Sequence, residues 1–239
     1  VDLCQAVAYA HSRGVIHRDL KPENVMLGEF GETVLLDWGL AKVRGKQDIR
    51  GGELEREIRV LNGGESGKTM DGAAIGTPAY MSPEQADGKV EEIDERSDVW
   101  SLGAVLYEVL TGRPPFEGFT PFEVIGKVLK DDVVAPRAVD PAIPAELAAV
   151  AMKALTRDKT KRYQKAGALS AEVQAFMTGG RISAYEYSSW ELMKGFVAKH
   201  KVASVLVGII FSLVVASSVV LYRAYGKAEA EKVRAQNEN

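Results

Sequence analysis

The sequence predicts an α+β fold, mainly α, with a single transmembrane helix after the globular part. Three observations carry this. Short apolar runs separated by turn residues fill the stretch before residue 40. From Arg96 onward the pattern is helical, with start and stop residues in place. Val202 to Tyr222 then holds 21 residues without one charge.

Residues 1 to 13 read as the end of a helix. Cys4, Val7, Ala8 and His11 repeat at i, i+3, i+4 and i+7, and Gly14 stops the helix. His11 on that face reads as a packed core residue rather than a ligand, and Cys4 as a small hydrophobe. Apolar runs at 15–20 and 25–27 surround a polar loop, HRDLKPEN, and Thr33 to Leu36 is a short strand after a turn at Gly31. Residues 41 to 75 carry seven glycines and thirteen charges with little periodicity. A loop of that length inside a compact domain is uncommon unless it has a function.

Asp98 to Leu110 is so apolar that a buried central helix is expected, closed by Gly112. Pro121 to Lys130 is a second helix, with Thr120 as N-cap and proline at the first position. Pro144 to Thr156 and Ala166 to Met177 are a third and a fourth, and Gly179-Gly180 ends the globular part. The uncharged run spans about 31 Å at ~1.5 Å per residue, against a hydrocarbon core of ~30 Å. Lys199, His200 and Lys201 precede it, Arg223 and Lys227 follow, and Tyr222 and Tyr225 suit the interface. The organisation expected is a globular part at 1–178, a juxtamembrane linker at 179–201, a transmembrane helix at 202–222 and the start of a helical, mixed-charge region at 223–239.

A formal net charge of −3 gives no basic footprint, so no nucleic-acid partner is expected. One cysteine excludes a disulfide framework. The first residue is not methionine, and both ends read as cut, so the chain is taken as a fragment of a longer protein.

The chemistry lies in separated motifs. His17-Arg18-Asp19 with Asn24 fits H-R-D-x-x-x-x-N, Asp37-Trp38-Gly39 follows a strand, and Ser82-Pro83-Glu84 follows the long loop. Phosphoryl transfer asks a protein for positioning and charge neutralisation more than for covalent chemistry. A carboxylate, Asp19, suits alignment of a hydroxyl and receipt of its proton, and Lys21 suits contact with a phosphate. Asn24 and Asp37 offer the hard oxygens that Mg²⁺ prefers. Pro22 stiffens the loop between them, and Gly39 allows the backbone to turn after Asp37.

In this order the motifs resemble those of eukaryotic-type (Hanks-type) Ser/Thr protein kinases. The resemblance covers residues 1 to 178 and is to the C-terminal lobe, the N-terminal lobe being absent. The GTPAYMSPEQA segment at 76–86 and the apolar run look most like the bacterial membrane-anchored members. The resemblance implies ATP and Mg²⁺ as cofactors, Asp19 and Lys21 as catalytic residues, and Lys21, Asn24 and Asp37 around the nucleotide and metal. It makes Arg18 the receptor for a phosphate on the 41–75 loop, whose hydroxyls are Ser66 and Thr69; Thr69 is the choice by resemblance. Thr77 falls in the substrate-binding loop and argues for Ser/Thr substrates. His17, Glu84, Asp98 and Arg162 take structural roles, with Glu84 and Arg162 as a buried ion pair and Asp98 accepting N–H bonds from the catalytic loop. Trp38 departs from the family's usual Phe; its ring can pack beside His17, and its indole N–H needs a partner.

No Gly-rich loop and no strand lysine precede residue 17. The isolated 239 residues are therefore expected to have little kinase activity, and the parent protein to be an active kinase. The alternative is a pseudokinase or membrane-tethered interaction module, against which Asp19, Lys21, Asn24 and Asp37 speak. The partners implied are protein substrates, the membrane, and a second copy for autophosphorylation in trans. ATP places the kinase part in the cytoplasm and the tail outside.

Overall fold

The computed structural model describes residues 1–46, 48, 51–52, 56, 77–191, 193, 197 and 201–237. The chain divides into two units, Val1–Tyr185 and Glu186–Asn239.

The first unit opens with α1 (Asp2–Ser12), which buries Cys4, Val7, Ala10 and His11. Gly14 follows at φ +74, a left-handed conformation open to a residue without Cβ. The chain then enters β1 (Val15–Ile16) and the polar loop, which closes in a 3-10 turn at Pro22–Asn24. Next come β2 (Val25–Leu27) and β3 (Thr33–Leu35), an antiparallel pair in the register Val25↔Leu35. β4 (Lys42–Val43) returns to pair with β1, Val15 opposite Val43. This return brings both ends of the segment between β1 and β4 to one edge and folds the polar loop between them. Ser66 and Thr69 lie outside the described residues, as does most of the 41–75 stretch.

The rest of the unit is helical. α2 (Pro83–Ala86) is short and follows a 3-10 turn at Thr77–Tyr80. α3 (Glu95–Thr111) is the central helix. Asp94 caps its start, accepting the Arg96 N–H at 2.8 Å, and Gly112 at φ +74 ends it. Its buried face carries Val99, Trp100, Leu102, Ala104 and Tyr107. α4 (Pro121–Lys130) has Thr120 as N-cap, whose hydroxyl accepts the Glu123 N–H at 3.1 Å. α5 (Pro136–Val139), α6 (Ala145–Ala154) and α7 (Ala166–Met177) complete the bundle.

Two apolar clusters share α3. One joins Cys4 and Val7 of α1 to Leu20, Leu35, Val99, Leu102, Val150 and Leu169. The other joins Tyr80, Trp100 and Tyr107 to Phe116, Val124, Ile125 and Val128. The polar loop is therefore anchored through Leu20, which is 1% exposed. α3 and α6 approach closely at Gly103, where a Cβ would lie 2.6 Å from the Ala154 Cβ.

The second unit contains α8 (Lys201–Asn237). Its stretch Val205–Lys227 contains an 18-residue window of mean hydropathy 2.6 and is long and apolar enough to cross a membrane. Its described apolar side chains, among them Phe211, Leu213 and Leu221, are exposed. The mixed-charge tail continues the same helix rather than starting another, because Ala, Glu and Lys are strong helix formers.

Candidate active site

The polar loop between β1 and β2 is held from beneath by α3. Asp98, 1% exposed, accepts the His17 N–H on Oδ2 at 2.8 Å and the Arg18 N–H on Oδ1 at 2.9 Å. His11 of α1 donates from Nε2 to the same Oδ2 at 2.8 Å. Three donors thus satisfy one buried carboxylate, the condition under which a charge can be kept in the interior. Arg18 sits at φ +70, a conformation that costs a non-glycine residue energy and persists only when surroundings impose it. Asp98 supplies part of that restraint.

His17 is 1% exposed and fully engaged. Its Nδ1 accepts the Asp19 N–H at 3.3 Å, which leaves Nε2–H to donate to the Leu36 carbonyl at 3.1 Å. The ring therefore links the polar loop to the end of β3. Trp38 packs edge-on against it, centroids 4.6 Å apart. The indole N–H finds its partner in the Leu35 carbonyl at 3.2 Å, although the residue stays 40% exposed rather than buried.

Asp37 is the left-handed residue of this turn, at φ +54. The expectation that Gly39 supplies the turn is corrected in one respect: its role is space, since a Cβ there would lie 3.0 Å from Asp37 Oδ1. With no side chain in the way, the Gly39 N–H donates to that oxygen at 3.1 Å.

Asp19 lies between Lys21 and Asn24. Lys21 Nζ is 3.0 Å from Asp19 Oδ2. Asn24 Nδ2 donates to Asp19 O at 2.8 Å and Oδ2 at 3.1 Å. Turning its amide nitrogen to Asp19 leaves Asn24 its amide oxygen for a cation. The Leu36 N–H bonds the Asn24 carbonyl at 2.8 Å, which ties Asp37 to the same locality. An amide oxygen and a carboxylate are a donor set suited to Mg²⁺, which keeps several waters and needs few protein ligands. Among the described residues no group of three or more His, Cys, Asp or Glu could hold a metal ion.

The Arg18 guanidinium, expected to await a loop phosphate, is engaged by a carboxylate. Nη1 and Nη2 donate to Asp48 Oδ2 at 2.6 Å and Oδ1 at 3.0 Å, and Nε to the Leu40 carbonyl at 2.6 Å. Sequence reading missed Asp48, one of thirteen charges in a stretch without periodicity.

Glu84 and Arg162 form a bidentate pair at 2.9 and 3.0 Å, both side chains buried. Ser97 adds a hydroxyl donor to Glu84 at 2.7 Å, and Arg162 also donates to the carbonyls of Arg96, Thr156 and Arg157. Burial by itself would raise the Glu84 carboxyl; the hydrogen bonds and charge of Arg162 outweigh it, and the carboxyl lies below its ordinary value.

Gln85, 1% exposed, was also missed as a site residue. Its Oε1 accepts the Ser82 N–H at 3.2 Å in a capping box, while Nε2 donates to the Arg18 carbonyl at 2.7 Å. The S-x-x-Q spacing announces the box; nothing in it announces the second bond. Thr77 begins the 3-10 turn before α2, and its side chain lies outside the described residues.

The family described as "Protein kinase domain" matches residues 1–174. The probable serine/threonine-protein kinase SCO3848 of Streptomyces coelicolor is 38% identical over 186 residues, 77% of this chain and 24% of its own length. Serine/threonine-protein kinase PknB of Mycobacterium tuberculosis is 40% identical over 172 residues, 72% of this chain and 24% of its own. Serine/threonine-protein kinase PknD of Protochlamydia amoebophila is 35% identical over 210 residues, 84% of this chain and 21% of its own. The chain thus spans about a quarter of the length of the curated relatives it matches.

Proposed function

This chain belongs to the protein kinase family, and from that premise we propose that the protein transfers the γ-phosphate of ATP to serine and threonine hydroxyls of other proteins while anchored in a membrane. The observation that carries the reading is the fixed position of Asp19, held by Lys21 at 3.0 Å and Asn24 at 3.1 Å on a loop pinned to Asp98.

Asp19 aligns the acceptor hydroxyl and takes its proton as the oxygen attacks. Lys21, already beside that carboxylate, contacts the transferring phosphate and offsets its charge. Asn24 and Asp37 would hold magnesium, which would supply positive charge to offset that of the phosphate oxygens. The rigid backbone is the main contribution of the rest: His17, Asp98 and Gln85 keep Asp19 in place so that little reorganisation is needed at the moment of transfer.

The anchoring proposal rests on the exposed apolar side chains of α8 and the length and apolar character of Val205–Lys227. The kinase part then faces the cytoplasm, where ATP is, and the tail lies outside. Phosphoamino-acid analysis of proteins labelled by the full-length protein tests the chemistry: phosphoserine and phosphothreonine are expected, and phosphotyrosine alone contradicts the reading. Protease treatment of intact cells tests the topology; a tail that stays protected contradicts it.

A further inference from the structure

We propose that Asp48 is a positioning residue, a built-in carboxylate that latches the start of the 41–75 segment to the catalytic loop without any phosphate. This deepens the kinase reading and rests on it. The Arg18 side chain has no exposure. A buried guanidinium needs a counter-charge, and a planar carboxylate matches its fork with two parallel bonds. Asp48 supplies both, at 2.6 and 3.0 Å. Lys42 of β4 adds a second cation 3.8 Å from Asp48 Oδ2. Gly51 completes the fit, since a Cβ there would come within 2.9 Å of the same oxygen.

The latch acts on the residue next to Asp19. Arg18 is held by its N–H on Asp98, its carbonyl on Gln85 and its guanidinium on Asp48 and the Leu40 carbonyl. These bonds together impose its φ of +70. Removing the Asp48 charge releases one of them and loosens the peptide that carries Asp19. A phosphate formed on Ser66 or Thr69 would compete with Asp48 for the Arg18 guanidinium, one anion against another.

The test uses the full-length protein, treated with phosphatase, as wild type, Asp48→Asn, Asp48→Glu and Gly51→Ala. Wild type without phosphate is expected to keep its transfer activity. Asp48→Asn should lose about tenfold in kcat with the KM for ATP unchanged, less than the ~10²-fold that a 1 Å misplacement can cost. Asp48→Glu should recover most of the loss, and Gly51→Ala, which shifts the carboxylate without removing it, should fall between. Asp48→Asn equal to wild type, or phosphatase-treated wild type as poor as Asp48→Asn, would overturn the latch. Should wild type transfer no phosphate in either state, it is the kinase reading that fails. Hydrogen exchange at the amides of residues 40–46 then decides on the latch itself: faster exchange in Asp48→Asn supports it, and unchanged exchange overturns it.

Discussion

Asp98 accepts the backbone N–H of Arg18 at 2.9 Å across 80 residues of sequence, and so ties the loop that carries Asp19 to the central helix. Its other oxygen takes the His17 N–H and the His11 ring at 2.8 Å each. Asp98→Asn keeps the shape but turns an NH₂ toward donors. At least one buried donor is then left unmet, at about 1–3 kcal/mol. Denaturant unfolding should show that loss, and phosphoryl transfer should fall beyond what the unfolded fraction explains.

Glu84 and Arg162 should behave as a unit. Breaking a buried pair on one side costs about 3–5 kcal/mol, because the remaining charge keeps its burial and loses its partner. Arg162→Met and Glu84→Gln are each expected to destabilise strongly. The double variant should lose less than the sum of the two, as measured in a double-mutant cycle. Additive losses would show that the pair is not coupled.

Much of this arrangement is legible in the sequence, for physical reasons that differ by residue. Pro121–Lys130 and Ala166–Met177 form helices at the expected bounds, the first set by Thr120 and Pro121 and the second by the glycines beyond Met177. Gly112 ends the central helix because its left-handed φ suits a residue without Cβ. The β1–β4 pairing was not legible, since two-residue strands carry no alternation to read. Nor was Asp48, whose partner is set by tertiary return of the chain rather than by spacing. Gln85 was half legible: its sequence spacing marks a cap, while its bond to Arg18 spans 67 residues.

Acid should weaken the globular unit in a defined window. Asp94 is half-buried; burial raises its carboxyl, but bonds from Arg96 and Lys159 outweigh this and bring it from 3.8 down to about 2. Glu84 also lies below its ordinary 4.5. Carboxyls depressed by folding contribute fully above their unfolded values, and that contribution is lost as pH falls through the folded ones. Stability should therefore be level above about pH 4.5 for these groups and decline toward pH 2. Thermal unfolding against pH should show a shallower decline in Glu84→Gln; an unchanged slope would contradict the assignment.

Gly103→Ala tests the close approach of α3 and α6. The new Cβ would meet the Ala154 Cβ at 2.6 Å and the Ala154 carbonyl carbon at 3.3 Å, so the helices must part. Overpacking of this kind costs about 1–3 kcal/mol, against the gain in helix propensity of roughly 1 kcal/mol that alanine brings over glycine. A net loss in denaturant midpoint is expected.

The role of Asp19 as proton acceptor is tested by Asp19→Asn in the full-length protein. The amide keeps the bond-forming shape but cannot take the proton of the acceptor hydroxyl. A fall in kcat of about 10²–10⁴ is expected, with folding stability and ATP binding held near wild type. Transfer to Ser and Thr at the wild-type rate would contradict it.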